Sequence, residues 1–155
     1  MKISVVSVVA IANVLGLASS THAQTMPDNY LGLGVRPGGI TNDSTSFVVD
    51  SKVKIGTIGD FTLSTRPSIL FDGRIIESRL PITVEVPLGN SLYPYLGTGL
   101  AYNTDATNVI DPMLTGGVDI RLSNSLYVDV NLNLIFQNTI NDLDVDLILT
   151  LNYKF

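Results

Sequence analysis

From Leu143 to Phe155 the chain reads Leu-Asp-Val-Asp-Leu-Ile-Leu-Thr-Leu-Asn-Tyr-Lys-Phe, and every second residue is apolar: Leu143, Val145, Leu147, Leu149, Leu151, Tyr153 and Phe155. The residues between them are polar, with Ile148 the one exception. Successive side chains of a strand point to opposite faces, so this period predicts a β-strand with one oily and one charged face. A strand that ends on an aromatic with nothing after it has no downstream partner. It finds a second neighbour only if the sheet closes on itself, and closure is the first expectation.

The same period recurs upstream. Cut at turn residues, it predicts eight strands: Tyr30 to Arg36, Ser46 to Ile55, Phe61 to Phe71, Arg79 to Pro87, Leu92 to Asn103, Met113 to Leu122, Leu126 to Phe136 and the terminal segment. The expected fold is all-β, an antiparallel eight-stranded up-and-down transmembrane barrel. Each run approaches the ~9–11 residues that a tilted membrane strand needs. An even strand number puts both termini on one side, where the connections Gly56 to Asp60, Leu88 to Ser91 and Ser123 to Ser125 are short. The connections expected at the other end, Pro37 to Thr45, Asp72 to Ser78, Thr104 to Pro112 and Gln137 to Asp142, are longer. Pro67 falls inside the third strand and removes a ladder bond. A bulge near Arg66-Pro67 is the expected remedy, and a bulge can shift the inside-outside phase there.

Composition supports a lipid-facing surface. The chain is 45% hydrophobic and only 15% charged, too oily for a soluble protein of this size. Strands that turn one apolar face to lipid resolve the conflict, because a barrel satisfies its backbone groups internally. Cysteine is absent, so stability rests on ladder bonds and closure. At the start, Met1-Lys2 precedes an apolar run from Ile3 to Leu17 and the small residues Ala18 to Ala23, the layout of a secretory signal peptide. The expected division is 1–23 signal peptide and 24–155 barrel domain. The apolar run is shorter than the ~20 residues of a spanning helix.

All eleven aromatics fall at or near predicted strand ends, as an aromatic girdle requires. Tyr30, Tyr93, Tyr95 and Tyr127 are phased inward and have the alternative of flooring the barrel. With the Tyr93 to Tyr102 run, Tyr-Pro-Tyr-Leu-Gly-Thr-Gly-Leu-Ala-Tyr, and the terminal segment ending at Phe155, the chain resembles a small eight-stranded bacterial outer-membrane barrel of the OmpA or OmpX type. The resemblance spans Tyr30 to Phe155. It implies that the glycine-alternating strand leaves room for bulky lumen side chains. It also implies that Leu151, Tyr153 and Phe155 form the signal read by the barrel-assembly machinery after periplasmic chaperones deliver the chain. The implied location is the outer membrane, with lipid as the surroundings and a monomer as the working state.

Several chemistries are excluded. The single histidine, His22, lies in the predicted signal peptide, so the mature chain lacks His and Cys. Hydrolases that use a histidine base and zinc sites built on His or Cys therefore have no counterpart here. No basic stripe supports nucleic-acid binding, and no cofactor or metal site is expected. Asp144 and Asp146 read better as inward carboxylates answered by bases than as a catalytic pair.

Inward phasing collects Arg36, Lys52, Lys54, Arg66, Arg79, Arg121 and Lys154 with Asp50, Glu85, Asp119, Asp129, Asp144 and Asp146. Of these, Asp50, Lys52, Arg66, Glu85, Asp119, Arg121, Asp129, Asp144 and Asp146 are the expected lumen charge network. Asp50 is expected roughly opposite Arg66, Glu85 diagonal to it, and Asp144 and Asp146 near Arg36 across the closure. Arg36, Arg79, Lys54 and Lys154, at strand ends, have the alternative of snorkelling to water. Asp43, Asp72, Glu77, Asp105, Asp111 and Asp142 make the connections opposite the termini acidic, either as solvated loops or as holders of divalent cations beside lipid phosphates. Mixed signs in a narrow bore pair off and close it. The expected function is therefore a structural or surface-interaction role without catalysis. The alternatives are a minor ion or small-solute channel and a soluble periplasmic lipocalin-like barrel with its oily face inward.

Overall fold

The sheet closes into a ring. The computed structural model describes residues 29–38, 44–73, 75–104, 109–137 and 142–155; the predicted signal peptide, Asp43 and Asp105 lie outside them. The described residues form β1 (Asn29–Arg36), β2 (Ser46–Ile58), β3 (Phe61–Thr65), β4 (Ser68–Asp72), β5 (Ile75–Glu85), β6 (Leu92–Asn103), β7 (Ile110–Arg121), β8 (Leu126–Gln137) and β9 (Asp142–Lys154). Every pairing is antiparallel, and β1 pairs with both β2 and β9. Both β3 and β4 lie between β2 and β5, so they are successive halves of one stave in an eight-stave up-and-down barrel.

Alternation sorts the residues as the period requires. Leu31, Leu33, Leu80, Ile82, Leu100 and Leu151 are each more than half exposed on the outside, while Tyr30, Lys52, Glu85 and Asp119 are fully buried inside. The lipocalin-like alternative, which needs the oily face inward, is overturned by this sorting. Tyr30, Tyr93, Tyr95 and Tyr127 are all buried, with Tyr93 and Tyr127 packed at a tilt of 57°, 6.2 Å between ring centroids. They fill the lumen and do not join the girdle. The outward aromatics are Phe61, Tyr153 and Phe155 at the terminus end and Phe47, Phe71, Tyr102 and the half-buried Phe136 at the other.

Several boundaries differ from those the sequence predicts. The fourth predicted strand starts at Ile75, not Arg79, so the connection after Asp72 shrinks to two residues, with Gly73 at a φ of 57°. That connection is as tight as the Gly59-Asp60 turn, where Gly59 has a φ of 61°. Pro67 produces no bulge: Val53↔Thr65 and Asp50↔Ser68 keep one register across it, as do Thr65↔Ile82 and Ser68↔Arg79. The inside-outside phase survives, with Ser64, Arg66 and Leu70 all buried. The bulge lies instead on β2 between Lys54 and Gly56, where the strand must bend into its turn.

Close approach dictates several glycines, Gly117 and Gly32 among them. A Cβ at Gly117 would stand 2.6 Å from the Tyr95 hydroxyl and 2.3 Å from the Val130 carbonyl, so β7 makes room for the tyrosine by carrying none. A Cβ at Gly32 would collide with the Asn152 side chain.

The outward placement of Leu132 and the inward placement of Asn131 generate a direct test. Leu132→Arg should lower unfolding stability in lipid vesicles by about 2–4 kcal/mol, the cost of a cation at mid-bilayer depth. Asn131→Arg should cost less, and chemical denaturation of the two variants side by side measures the difference.

Candidate functional site

The lumen holds two ion-paired clusters, one above the other. In the lower one, β2 supplies Lys52, the β3–β4 junction Arg66, β5 Glu85 and β7 Asp119, and period two aims all four inward. Each is nearly or fully buried. Lys52 Nζ donates to Glu85 Oε2 and lies 3.6 Å from Asp119. Arg66 donates to both oxygens of Asp119 at 2.7 and 3.3 Å and to Glu85 at 3.4 Å. Two cations thus share two carboxylates, and each charge removed from water meets two of opposite sign.

The tyrosines complete this cluster. Tyr30 Oη donates to Asp119 at 3.1 Å and accepts from Arg66 at 2.5 Å. The Arg66 guanidinium lies over the Tyr95 ring, 3.6 Å from its centroid, a cation–π stack in a desolvated setting. Tyr95 Oη reaches both oxygens of Asp129 at 2.8 and 3.0 Å, and Ser64 Oγ donates to Glu85 at 2.6 Å.

The upper cluster is built on Arg79 and Arg36. Arg79 grips Asp146 through two bonds of 2.5 and 3.1 Å and donates from Nε to Glu77 at 2.6 Å. Arg36 bonds Ser46 at 2.7 Å and lies 3.4 Å from both Asp72 and Glu77 and 3.6 Å from Asp146. An amide ladder on β8 joins the clusters: Asn133 bonds Asp146 and Asn131, and Asn131 bonds Tyr95 at 2.5 Å. Apolar groups, Val48 with Leu70 and Ile148, and Ala101 with Met113 and Ile135, pack into the same bore.

The structure brings together Lys52, Arg66, Glu85, Asp119 and Asp129 from the expected network and places Asp146 with Arg36. Asp144 borders the mouth of the bore beside Arg36 and Glu77. Two placements are corrected. Asp50 is opposite Ser68, not Arg66, because the turn is centred on Gly59-Asp60 and the bulge between Lys54 and Gly56 moves the register by one residue only; it accepts from Thr150 at 3.4 Å. Arg121 stands outside the network: at the last residue of β7 its side chain turns back onto Ser123 and Asn124, with bonds of 3.2 and 2.6 Å. Arg36 and Arg79 are 3% exposed and do not snorkel. Reading residues 72–78 as a loop hides Asp72 and Glu77 from the predicted network. Glu77 lies two steps back from Arg79, so extending the inward period by one repeat would have found it.

What space is left is small. A cavity of about 100 Å³ at the mouth is bordered by Arg36, Asp72, Glu77, Asp111 and Asp144. A second, about 20 Å³ and large enough for one water, lies between the clusters. Among the described residues no group of His, Cys, Asp and Glu has the arrangement of a metal site.

No protein-family model matches the sequence, and no curated protein matches it significantly. Solved structures do match. A de novo designed transmembrane β-barrel superposes with a TM-score of 0.64 at 19% identity, over 86% of this chain and 100% of the other. The outer-membrane protein Ail of Yersinia pestis gives 0.60 at 8% identity, over 84% and 100%. Neisserial surface protein A gives 0.50 at 11% identity, over 82% and 95%. The fold is that of a small outer-membrane β-barrel. At these identities the likeness extends to the fold and no further, so the lumen chemistry must be argued from this chain alone.

Arg66 is the residue whose loss this geometry punishes most. Arg66→Ala strands Asp119 and should cost about 3–5 kcal/mol, as breaking a buried pair on one side does. Arg121→Ala should stay within about 0.5 kcal/mol. Denaturant unfolding of the folded barrel in detergent or lipid measures both.

Proposed function

We propose that the protein is an integral barrel of the bacterial outer membrane with a structural or surface-interaction role, and that it neither catalyses a reaction nor conducts. One observation carries this reading: a continuous apolar outer surface encloses a bore filled by ion pairs that satisfy one another. The outer surface suits lipid, and a bore of eight strands is just wide enough for side chains to fill. Each carboxylate of the two clusters already answers an arginine, a lysine or a tyrosine, so none is left as an acid or base poised for substrate. A single-sign lining, which would favour a channel, is not what the lumen presents.

The same reading makes residues 1–23 a cleaved signal peptide and the working state a monomer surrounded by outer-membrane lipid. Periplasmic chaperones and the barrel-assembly machinery are the partners in biogenesis, with Leu151, Tyr153 and Phe155 as the signal. Tyr153 and Phe155 are well exposed on the outer face of β9 at its terminus end, which leaves them open to recognition.

Fractionation of expressing cells tests the location: the protein should pellet with outer membranes and migrate differently on a gel with and without boiling. A soluble, heat-insensitive band would overturn the proposal. In planar bilayers the purified barrel should show no steady current, whereas large ohmic conductance would restore the channel alternative. Deleting Phe155 should lower the amount in the outer membrane, checked by quantitative blotting of fractions; unchanged abundance would remove the assembly role of that residue.

A further inference from the structure

Two prolines interrupt neighbouring ladders of the wall at one level. The constant register on either side sets Pro67 opposite Ser51 and Pro81 opposite Arg66. In an antiparallel sheet a hydrogen-bonded pair exchanges two bonds. Ser51 N donates to the Pro67 carbonyl at 3.0 Å and Arg66 N to the Pro81 carbonyl at 3.2 Å, but proline has no N–H to return either bond. Both pairs are half-made, and the carbonyls of Ser51 and Arg66 lose their ladder donors. Nearby hydroxyls do not repair the loss. Ser51 Oγ and Thr65 Oγ1 donate, at 3.2 and 2.9 Å, to the proline carbonyls that already have a donor.

The one-water cavity between the ion clusters lies behind this level of the wall, with Arg66, Ser68, Arg79 and Pro81 on its border. Across the lumen, the Arg66 side chain ties this level of the wall to Asp119, Glu85, Tyr30 and the face of Tyr95. We propose that this line is a lateral opening in the barrel wall, latched from inside by Arg66. When the guanidinium leaves Asp119, the β3–β4 stave can part at this level from β2 and from β5. The inner cavity then communicates sideways through the wall, not through either end of the barrel. The inference goes beyond the functional reading and depends on the barrel geometry alone.

Amide hydrogen exchange, followed by NMR on the complete folded barrel in lipid nanodiscs, tests it. The amides of Ser51 and Arg66 should exchange about tenfold faster than those of Val118 and Val130 on the intact β7–β8 ladder, the scale of one missing ladder bond. Arg66→Met should accelerate the two seam amides by about tenfold more and leave Val118 and Val130 unchanged. Pro67→Ala, which restores a donor opposite the Ser51 carbonyl, should slow Ser51. Equal protection of seam and β7–β8 amides in the unaltered protein would overturn the opening. Uniform acceleration at all four amides in Arg66→Met would overturn the latch. Should Arg66→Met fail to fold, Arg66→Lys makes the same comparison, since it keeps the charge but loses the planar fork and the stack.

Discussion

A sheet immersed in lipid has no water to satisfy its backbone, so each donor and acceptor along its strands must be met from within the chain. The pairing of β1 with both β2 and β9 meets that demand, and it governs the rest of the molecule. Closing eight staves creates a bore of side-chain width, and whatever faces it is removed from water. Among the described residues nine of the buried ones are charged, and isolated buried charges are too costly to persist. Pairing within the bore is the consequence. Lys52 and Arg66 share Glu85 and Asp119, and Arg79 takes Asp146 by both oxygens. The glycines of β7 and the tyrosine of β6 are part of the same solution, since Tyr95 reaches Asp129 only because Gly117 leaves space.

Period two makes the barrel legible, because it is enforced along the whole chain by two incompatible surroundings. Strand ends are less so. At Ile75-Ile76 two apolar residues in succession blur the alternation, and the β4–β5 connection reads as a loop although the strands run almost to Gly73. The loop reading leaves Glu77 and Asp72 out of the interior. Pro67 does break the ladder, as its chemistry demands, but the bulge expected with it is absent. A proline needs only φ near −65° and a vacant donor position, and the chain supplies both without changing register. Which acid meets which base is not written in the alternation at all, since the decisive contacts run across the lumen: Arg66 meets Asp119, three staves away, and not Asp50 on its neighbour. Sequence periodicity reports faces; it carries no information about distances across a bore.

The matched structures sharpen this division. A designed barrel and two natural ones share the architecture at 8–19% identity, so alternation and turn chemistry are sufficient to specify the ring while the interior is free to differ. In this chain the interior is a hydrogen-bonded column running from Glu77 and Arg79 through Asp146, Asn133 and Asn131 to Tyr95 and Asp129. Asn131 and Asn133 are the uncharged links between Asp146 and Tyr95 in that column. They allow two charged layers to be joined without placing a further ion between them.

The pairing of Tyr30 with Lys154 also dictates the order in which this protein can fold. Hairpins such as β8–β9 form from near neighbours, but the β1–β9 ladder joins nearly opposite ends of the chain and bears the largest loop-closure entropy. Until it zips, Tyr30 has no settled route to Asp119 and Arg36 none to Asp146, because both contacts tie the first strand to strands from the far end of the sequence. The contacts of Tyr30 and Arg36 are thus missing from any open intermediate and form only when the last strand meets the first. Ring closure and completion of the lumen contacts become a single cooperative event, and an intermediate closed in the wrong register would bury ions without their partners.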